Sequence, residues 1–511
     1  MSDDAGTDAR PRNTARHALG GMVWSAVGFG AQGIGQFLVV IVFARYLTRA
    51  DNDIVGAAVI IIALGQLFTE AGFGPAVVQR EDLTDEHVRT AFALSLFTGA
   101  AMTAITFLAA PLLGDFFHST GLPPIVRGLS FVFLLQAPGV VAMAMLQRDL
   151  DFKSIAMAET FSYFFGFAAV GVVLVLAGVG VWAIAVAQLA QAALLTVILV
   201  IRRPHPRSLR PHKKEAVDLV VYAGGMTAAR GFNFVALYGD NTVVGNQMGK
   251  GALGAYKNAY QLAVVPAQLL GQVMDRVIFP VISRFQTDLR RVASSYLRGV
   301  ALVSMLTIPG SVLAVLLGPE IIHLLLGGGE KWDDVVVPFQ IFSAGLLFRT
   351  SYKISDSLAR AMGTVYQRAL RQAVYAVAVV VGAFVGSQYD SLNWVAVGVT
   401  GAIVLNYLLM AQLSLKTAPI TWGQFFFRQG RGVLLAVITA AAAVPAVLAL
   451  RSADAGNLVT IVGGTLAVLA VLGICFLVRP SFVLGRDGQW LLDVVRGRRG
   501  TDDVDRVEVS A

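Results

Sequence analysis

Charge is what this chain has least of. Only 14% of its 511 residues are Asp, Glu, Lys or Arg, against roughly a quarter in soluble domains. That scarcity excludes the string of water-soluble domains that length alone would suggest. Long polar stretches are missing too: the longest non-apolar pieces are residues 1–19, the loop 202–216 and the tail after Arg479. The single cysteine, Cys475, sits in an apolar run, which excludes an internal disulfide framework and a cysteine-based metal site. The six histidines (His17, His87, His118, His205, His212, His323) form no i,i+3 or i,i+4 pair, so no metal is expected. A nucleotide loop is absent as well. The string from Gly245 to Gly251 has three residues between its first two glycines, not four, and no Ser or Thr after Lys250. No cofactor is therefore expected. The polar N-terminus (Met1–Arg16) lacks the apolar core and cleavage site of a signal peptide and reads as a tail.

What is present is apolar sequence: the residues AVILMFWYC make up 56% of the chain. Runs of about twenty such residues read as transmembrane helices. Fourteen occur, near 20–44, 54–73, 88–110, 125–146, 155–176, 180–201, 217–238, 255–280, 297–317, 335–358, 365–386, 391–414, 430–450 and 457–478; the seventh, eighth and tenth carry charges. Lys and Arg favour cytoplasmic loops. Counted with their nearest loops, 29 of the 40 cations fall on the side shared with the N-terminus and 5 on the other, with 6 inside spans. An even number of crossings with both termini cytoplasmic follows. The net charge of +8 thus belongs to membrane topology, not to nucleic-acid binding.

The densest cluster, Arg202, Arg203, Arg207, Arg210, Lys213 and Lys214, separates six helices from eight and reads as a positive anchor, with a second use in touching lipid headgroups. The expected organisation is a cytoplasmic tail (1–19), a first six-helix lobe (20–201), a basic linker (202–216), a second six-helix lobe (217–414), two additional transmembrane helices (415–478) and a cytoplasmic tail (479–511). Trp490–Val495 could lie in the interface as a short helix, and 502–511 reads as disordered, its Asp502-Asp503-Val504-Asp505 being solvated charge. Phe73 to Arg80 after span two and Phe279 to Arg284 after span eight echo one another, as paired halves of a secondary transporter would.

A charge at the bilayer centre costs roughly 3 kcal/mol on insertion scales, so intramembrane charges face protein or water. Span ten carries Arg349, Lys353, Asp356 and Arg360 at steps of four, three and four, hence on one face. Span eight carries Lys257, Gln261, Gln268, Gln272, Asp275 and Arg276, and span seven Arg230, Asn233, Asp240 and Asn241. Span one has a milder stripe of Ser25, Gly28, Gln32 and Gln36. Pairing among themselves or snorkelling to the interface would account for Arg360, Lys257, Asp275 and Arg276. Arg349 and Lys353 are different: two cations one turn apart repel unless water or an anion lies between them, and Asp356 can neutralise only one. A wet cavity with surplus positive charge suits a phosphate-bearing substrate. Arg230, Asp240, Asn241, Lys257, Gln272, Arg276, Arg349, Lys353 and Asp356 are its candidate lining. Glu70 and Glu159 are lone carboxylates in spans two and five, candidates for proton or ion coupling beside a structural role. Pro138, Pro266, Pro309 and Pro445 fall inside spans, where neighbours or a wet cavity can satisfy the freed carbonyls.

Four stretches carry a family resemblance. Gly72-Phe-Gly-Pro-Ala-Val-Val-Gln-Arg80 is followed by Leu83-Thr-Asp-Glu and Thr90-Ala-Phe92. Leu146-Gln-Arg-Asp-Leu-Asp-Phe-Lys153 forms a Q-R-x-L-x-F turn. Gly239-Asp-Asn-Thr-Val-Val-Gly245, Leu253-Gly-Ala-Tyr256, Ala259-Tyr260, Pro266, Phe279-Pro280 and Ser283-Arg284 make the longest match, and Gly329-Glu-Lys-Trp332 the last. Together they resemble the polysaccharide-exporter branch of the multidrug, oligosaccharidyl-lipid and polysaccharide exporter superfamily, closest to flippases of exopolysaccharide or O-antigen repeat units. Ala50-Asp-Asn-Asp-Ile-Val-Gly56 departs from the P-x-D-F-G turn usual there.

The resemblance implies an all-α polytopic bundle of two related lobes that alternates between inward- and outward-facing states. It implies transport of a polyprenyl-diphosphate-linked oligosaccharide to the outer leaflet of the cytoplasmic membrane, assisted by ion gradients. Glycosyltransferases, a polymerase and a chain-length regulator would be pathway partners, beside membrane lipids. An integral-membrane enzyme is disfavoured, because no room exists for a soluble nucleotide-sugar domain or a large external loop. A drug or cation antiporter on the same fold would favour an acidic, aromatic-lined cavity where this one is basic. A flippase of peptidoglycan precursor shares the chemistry and stays open.

Overall fold

In a computed structural model the described residues run from 38 to 480 apart from 71–72, 80–81, 150, 207–208, 250, 285–287 and 328–329, with a few isolated positions on either side. The N-terminal tail, most of span one and the expected helix over 490–495 with the tail beyond lie outside them. Hydrocarbon offers no hydrogen-bond partner, so backbone groups there must pair within the chain, and helices do this segment by segment. Among the described residues there is no β-strand.

Two compact units divide the chain, Met1–Gly254 and Ala255–Ala511. The first holds α1 (38–46), α2 (Arg49–Glu70), α3 (Phe73–Gln79), α4 (Asp85–Phe116), α5 (Leu122–Arg148), α6 (Phe152–Phe161), a π-helical stretch (Ser162–Ala169), α7 (Val170–Leu176), α8 (Trp182–Arg202) and α9 (Lys213–Gln247). The second contains α10 (Ala252–Arg284, from residue 255), α11 (Leu289–Leu316), α12 (Gly318–Leu326), α13 (Asp333–Ala344), α14 (Leu346–Ala361), α15 (Val365–Ser387), α16 (Leu392–Thr417), α17 (Trp422–Ser452) and α18 (Asn457–Val478).

Ten described helical segments are long and apolar enough to cross a membrane. They correspond to the expected spans two to six, nine and eleven to fourteen. Spans seven, eight and ten are helical too, span seven in α9, span eight in α10 and span ten in two shorter pieces of 12 and 16 residues, α13 and α14. One expectation needs correction. Span ten is not one helix: it breaks at Gly345, whose N–H turns back to Ile341 O (3.2 Å) and Phe342 O (3.1 Å), so the polar α14 starts afresh after the apolar α13. Span five is found as expected, and within it a π-helical stretch, Ser162–Ala169, lies where Gly166 lets the helix approach the backbone of Gln191 on α8.

Side chains cap the helices where the sequence supplies Thr, Asp or Ser. Thr84 and His87 form a reciprocal box at the start of α4, and Thr421 does the same with Gln424 at α17. Asp151 Oδ1 accepts from Ser154 N (3.1 Å) at α6. Small residues set the closest packing. A Cβ on Gly382 would lie 2.6 Å from Gly398 O, so α15 and α16 touch backbone to backbone. The second unit is braced by buried hydroxyls: Tyr296 Oη pairs with Ser355 Oγ (2.9 Å), and Tyr407 Oη donates to Gln429 Oε1 (2.9 Å).

The expected lobe boundary lies in the basic linker 202–216, whereas the compact units part between Gly254 and Ala255. The difference comes from α9, which packs against α2, α3 and α4 of the first unit. Two contacts seal that arrangement. Asp53 at the start of α2 accepts hydrogen bonds from Gly251 N and from Gly254 N (2.8 Å to the latter). Gly254 sits so close to α2 that a Cβ there would lie 2.7 Å from Asn52 Cβ.

Candidate functional site

Three of the cations singled out by sequence, Arg349, Lys353 and Lys257, lie on α14 and α10 within the second unit. Arg349 enters in the first turn of α14, just past the Gly345 break. Its Cζ lies 4.4 Å from the centroid of the Tyr260 ring on α10, within the range of a cation–π attraction. Tyr352 and Tyr375 are further electrostatic neighbours. Its Nη2 is buried and has no hydrogen-bond partner among the described residues. Lys353, one turn on, donates from Nζ to Ala267 O on α10 (3.3 Å). Lys257 stands one turn before Tyr260 on α10 and is half-buried.

Asp356 is on the same face of α14 but is engaged elsewhere. Arg368 of α15 bonds both of its oxygens and Arg360 adds an ion pair at 3.2 Å. The acid that could have neutralised Arg349 or Lys353 thus has two other partners, and its place is in an ion-pair knot where α14 meets α15. The excess positive charge at Arg349 and Lys353 is therefore not cancelled by it.

Other expected residues belong to the first unit or have undescribed side chains. Asp240 and Asn241 are buried in the first unit on α9, where Asp240 Oδ1 accepts from Asn241 N (2.8 Å) and Nδ2 (2.9 Å). Glu159 is half-buried on α6, one turn before the π-helical stretch. The side chains of Glu70, Arg230, Gln272 and Arg276 fall outside the described ones. Sequence reasoning missed the tyrosines around Arg349, because an aromatic at helical spacing in an apolar span reads as packing. It also missed a cavity of about 100 Å³ in the first unit, walled by Val59, Ile62 and Leu129 and carrying the polar groups Gln66, Gln188 and Tyr238. No cluster of metal-ligating side chains occurs among the described residues.

The motif stretches hold one another. Arg148 of the Q-R-x-L-x-F turn donates from Nη1 to Val77 O and Val78 O (3.3 Å each), tying that turn to the stretch that follows α2. Asp149 beside it pairs with Arg203 at 2.8 Å. Trp332 of the Gly329–Trp332 element is buried, with Lys331 Nζ 4.9 Å from its ring centroid.

Residues 42–337, which contain the motifs from Phe73 to Trp332, match the family described as polysaccharide biosynthesis protein. The chain belongs to that family. Its relatives include the lipopolysaccharide biosynthesis protein WzxC of Escherichia coli (strain K12), 24% identical over 339 residues that cover 65% of this chain and 67% of WzxC. The succinoglycan biosynthesis transport protein ExoT of Rhizobium meliloti (strain 1021) is 24% identical over 495 residues, 96% of this chain and 98% of ExoT. Among solved structures, the inward closed conformation of the lipid II flippase MurJ superposes with a TM-score of 0.72 at 14% identity, covering 89% of this chain and all of that one. At that identity the likeness speaks for the fold alone. This polysaccharide biosynthesis protein is thus an all-helical, multi-pass membrane protein of the fold that MurJ shares.

Proposed function

We propose that this chain is a flippase that moves polyprenyl-diphosphate-linked oligosaccharide repeat units from the inner to the outer leaflet for surface polysaccharide synthesis. Membership of the polysaccharide biosynthesis family, with similarity to a transport protein along nearly the whole chain, supports the cargo class. The observation that carries the mechanism is the cation pair on α14, whose neighbouring acid Asp356 is bound by Arg360 and Arg368. A guanidinium and an ammonium one turn apart match two adjacent phosphoryl groups, and charge-assisted hydrogen bonds in a site shielded from bulk water are the strong kind. The lipid tail stays in the bilayer while the glycan crosses through the protein, and no bond is made or broken.

In this reading the chain crosses the cytoplasmic membrane fourteen times with both termini inside, as the 29 to 5 distribution of cations supports. Residues 20–201 and 217–414 act as two lobes in alternating access, linked by 202–216 and followed by two further spans in 415–478. Glycosyltransferases supply the repeat unit inside; a polymerase and a chain-length regulator consume it outside. Glu70 and Glu159 are the candidates for ion coupling.

The test is reconstitution of the full chain in vesicles loaded with a polyprenyl-diphosphate-linked oligosaccharide, whose exposure at the outer leaflet is followed with a lectin. Wild type translocates and the double variant Arg349→Ala, Lys353→Ala, inserted to the same level, does not. Full activity in the double variant overturns the anion-site mechanism.

A further inference from the structure

Tyr260 has a job in this cluster that the cations alone do not describe. Its ring is held on two sides, by Phe342 edge-on at 5.4 Å and 85°, and by Tyr256 stacked at 6.3 Å and 23°. Tyr256 is itself fully buried, and Phe342 meets it edge-on as well, at 5.5 Å. Three rings from α10 and α13 thus form a fixed wall under the first turn of α14. Against that wall lies Arg349, 4.4 Å from the Tyr260 centroid, with a buried Nη2 that has no partner among the described residues.

A carboxylate in place of the ring would also hold the guanidinium, but it would occupy the N–H fork and cancel the charge. A ring attracts the cation through its face without cancelling its charge; the guanidinium also donates a hydrogen bond to the Tyr260 side chain, and the Nη2 edge is left available. Lys257 shares a face of α10 with Tyr260, three residues earlier, and makes no hydrogen bond or ion pair among the described residues. Arg349 on the ring and Lys257 one turn before it on α10 thus add two cations to this part of the second unit.

Resting on the diphosphate reading above, we infer that Tyr260 is a positioning residue whose ring aims the Nη2 edge of Arg349 so that Arg349 and Lys353 together grip the diphosphate of the lipid carrier, with Lys257 as a further cation on α10. The ring contact at 4.4 Å, rather than the hydroxyl's hydrogen bond, carries most of this work. It also makes the site selective for the doubly phosphorylated carrier, because one phosphoryl group cannot reach both cations as well as two can.

The full chain in detergent, titrated with farnesyl diphosphate and with farnesyl monophosphate as probes, tests the inference. Tyr260→Phe keeps the ring and binds the diphosphate within about twofold of wild type. Tyr260→Leu weakens diphosphate binding about tenfold, the scale of one partly desolvated cation–π contact, and narrows the preference over the monophosphate. The unfolding midpoint of each variant reports on folding, and Tyr260→Met replaces the Leu variant if that one does not fold. In vesicles the Leu variant raises the substrate concentration for half-maximal transport more than it lowers the maximal rate. If Arg349→Ala binds the diphosphate as wild type does, the site reading itself fails. If Arg349→Ala loses binding while Tyr260→Leu or Tyr260→Met keeps it, the role of Tyr260 alone is overturned. Equal loss in Tyr260→Phe and Tyr260→Leu also overturns it, since the hydroxyl would then be what matters.

Discussion

Replacing Asp53 by Ala removes the carboxylate that fastens the α9–α10 connection to the start of α2. That carboxylate accepts from the backbone N–H groups of Gly251 and Gly254, the second at 2.8 Å, in a partly buried setting. A hydrogen bond to a charged group contributes about 1.5–3 kcal/mol net. Water reaches part of this site and can solvate the freed N–H groups, so the pair is worth about 2 kcal/mol rather than the sum of two upper values. At 1.4 kcal/mol per tenfold, local opening of the segment becomes roughly thirtyfold more frequent. Amide hydrogen exchange reads this directly. In Asp53→Ala, exchange of the Gly251 and Gly254 amides should accelerate about thirtyfold while helices elsewhere, such as α15 and α16, keep their protection. Asp53→Asn retains one carbonyl acceptor without charge and should fall between. Unchanged exchange at Gly251 and Gly254 in the Ala variant would refute the argument that Asp53 holds them.

The carboxyl of Glu320 on α12 gives a pH-dependent counterpart. Burial acts to raise its pKa, but hydrogen bonds and charge from Arg451 (2.6 and 2.9 Å) outweigh it and hold the group below the ordinary carboxylate value. A folded pKa below the unfolded one means a contribution complete above the ordinary value, about 4.3, and lost as pH falls through the folded value. Glu320→Gln should therefore lower the unfolding midpoint near neutral pH, with the gap to wild type closing below about pH 4; a gap independent of pH contradicts the ion pair. Within the α14 site, Arg349→Ala should impair translocation more than Lys353→Ala, because Arg349 alone stands on the Tyr260 ring. The reverse order, measured in the same vesicles, would shift the weight of the site to Lys353.

Apolar run length made most of the fold legible, since a segment of twenty residues without charge has few other uses. The charged spans were harder. In α14 the spacing of Arg349, Lys353, Asp356 and Arg360 correctly marks one helical face, but nothing in it says that Asp356 turns to Arg368, a residue on the next helix. The break at Gly345 was hidden for a related reason: a single glycine in an apolar run reads as packing, and only the return of its N–H to Ile341 and Phe342 marks a helix end. The π-helical stretch at Ser162–Ala169 leaves no compositional trace, because its residues are as apolar as those of any span. The motifs were legible as strings but not as partners. That Arg148 reaches back to the carbonyls of Val77 and Val78 joins two of them across seventy residues, and no periodicity reports such a contact. The aromatic wall under Arg349 was invisible for want of any local pattern linking Tyr260 to a residue ninety positions away.

The account turns on an anionic headgroup being carried outward past fixed positive side chains, and the membrane potential addresses that charge. Moving a charge of −2 out of an inside-negative compartment gains about 4–5 kcal/mol at 100 mV, at about 2.3 per charge. The most direct measurement is the initial rate of outward translocation of a polyprenyl-diphosphate-linked oligosaccharide by the wild-type chain in vesicles, with the potential set to zero or to 100 mV, inside negative. A faster rate at the imposed potential is the predicted result. Equal rates at both settings, or a rate no greater than that of protein-free vesicles, would contradict the account.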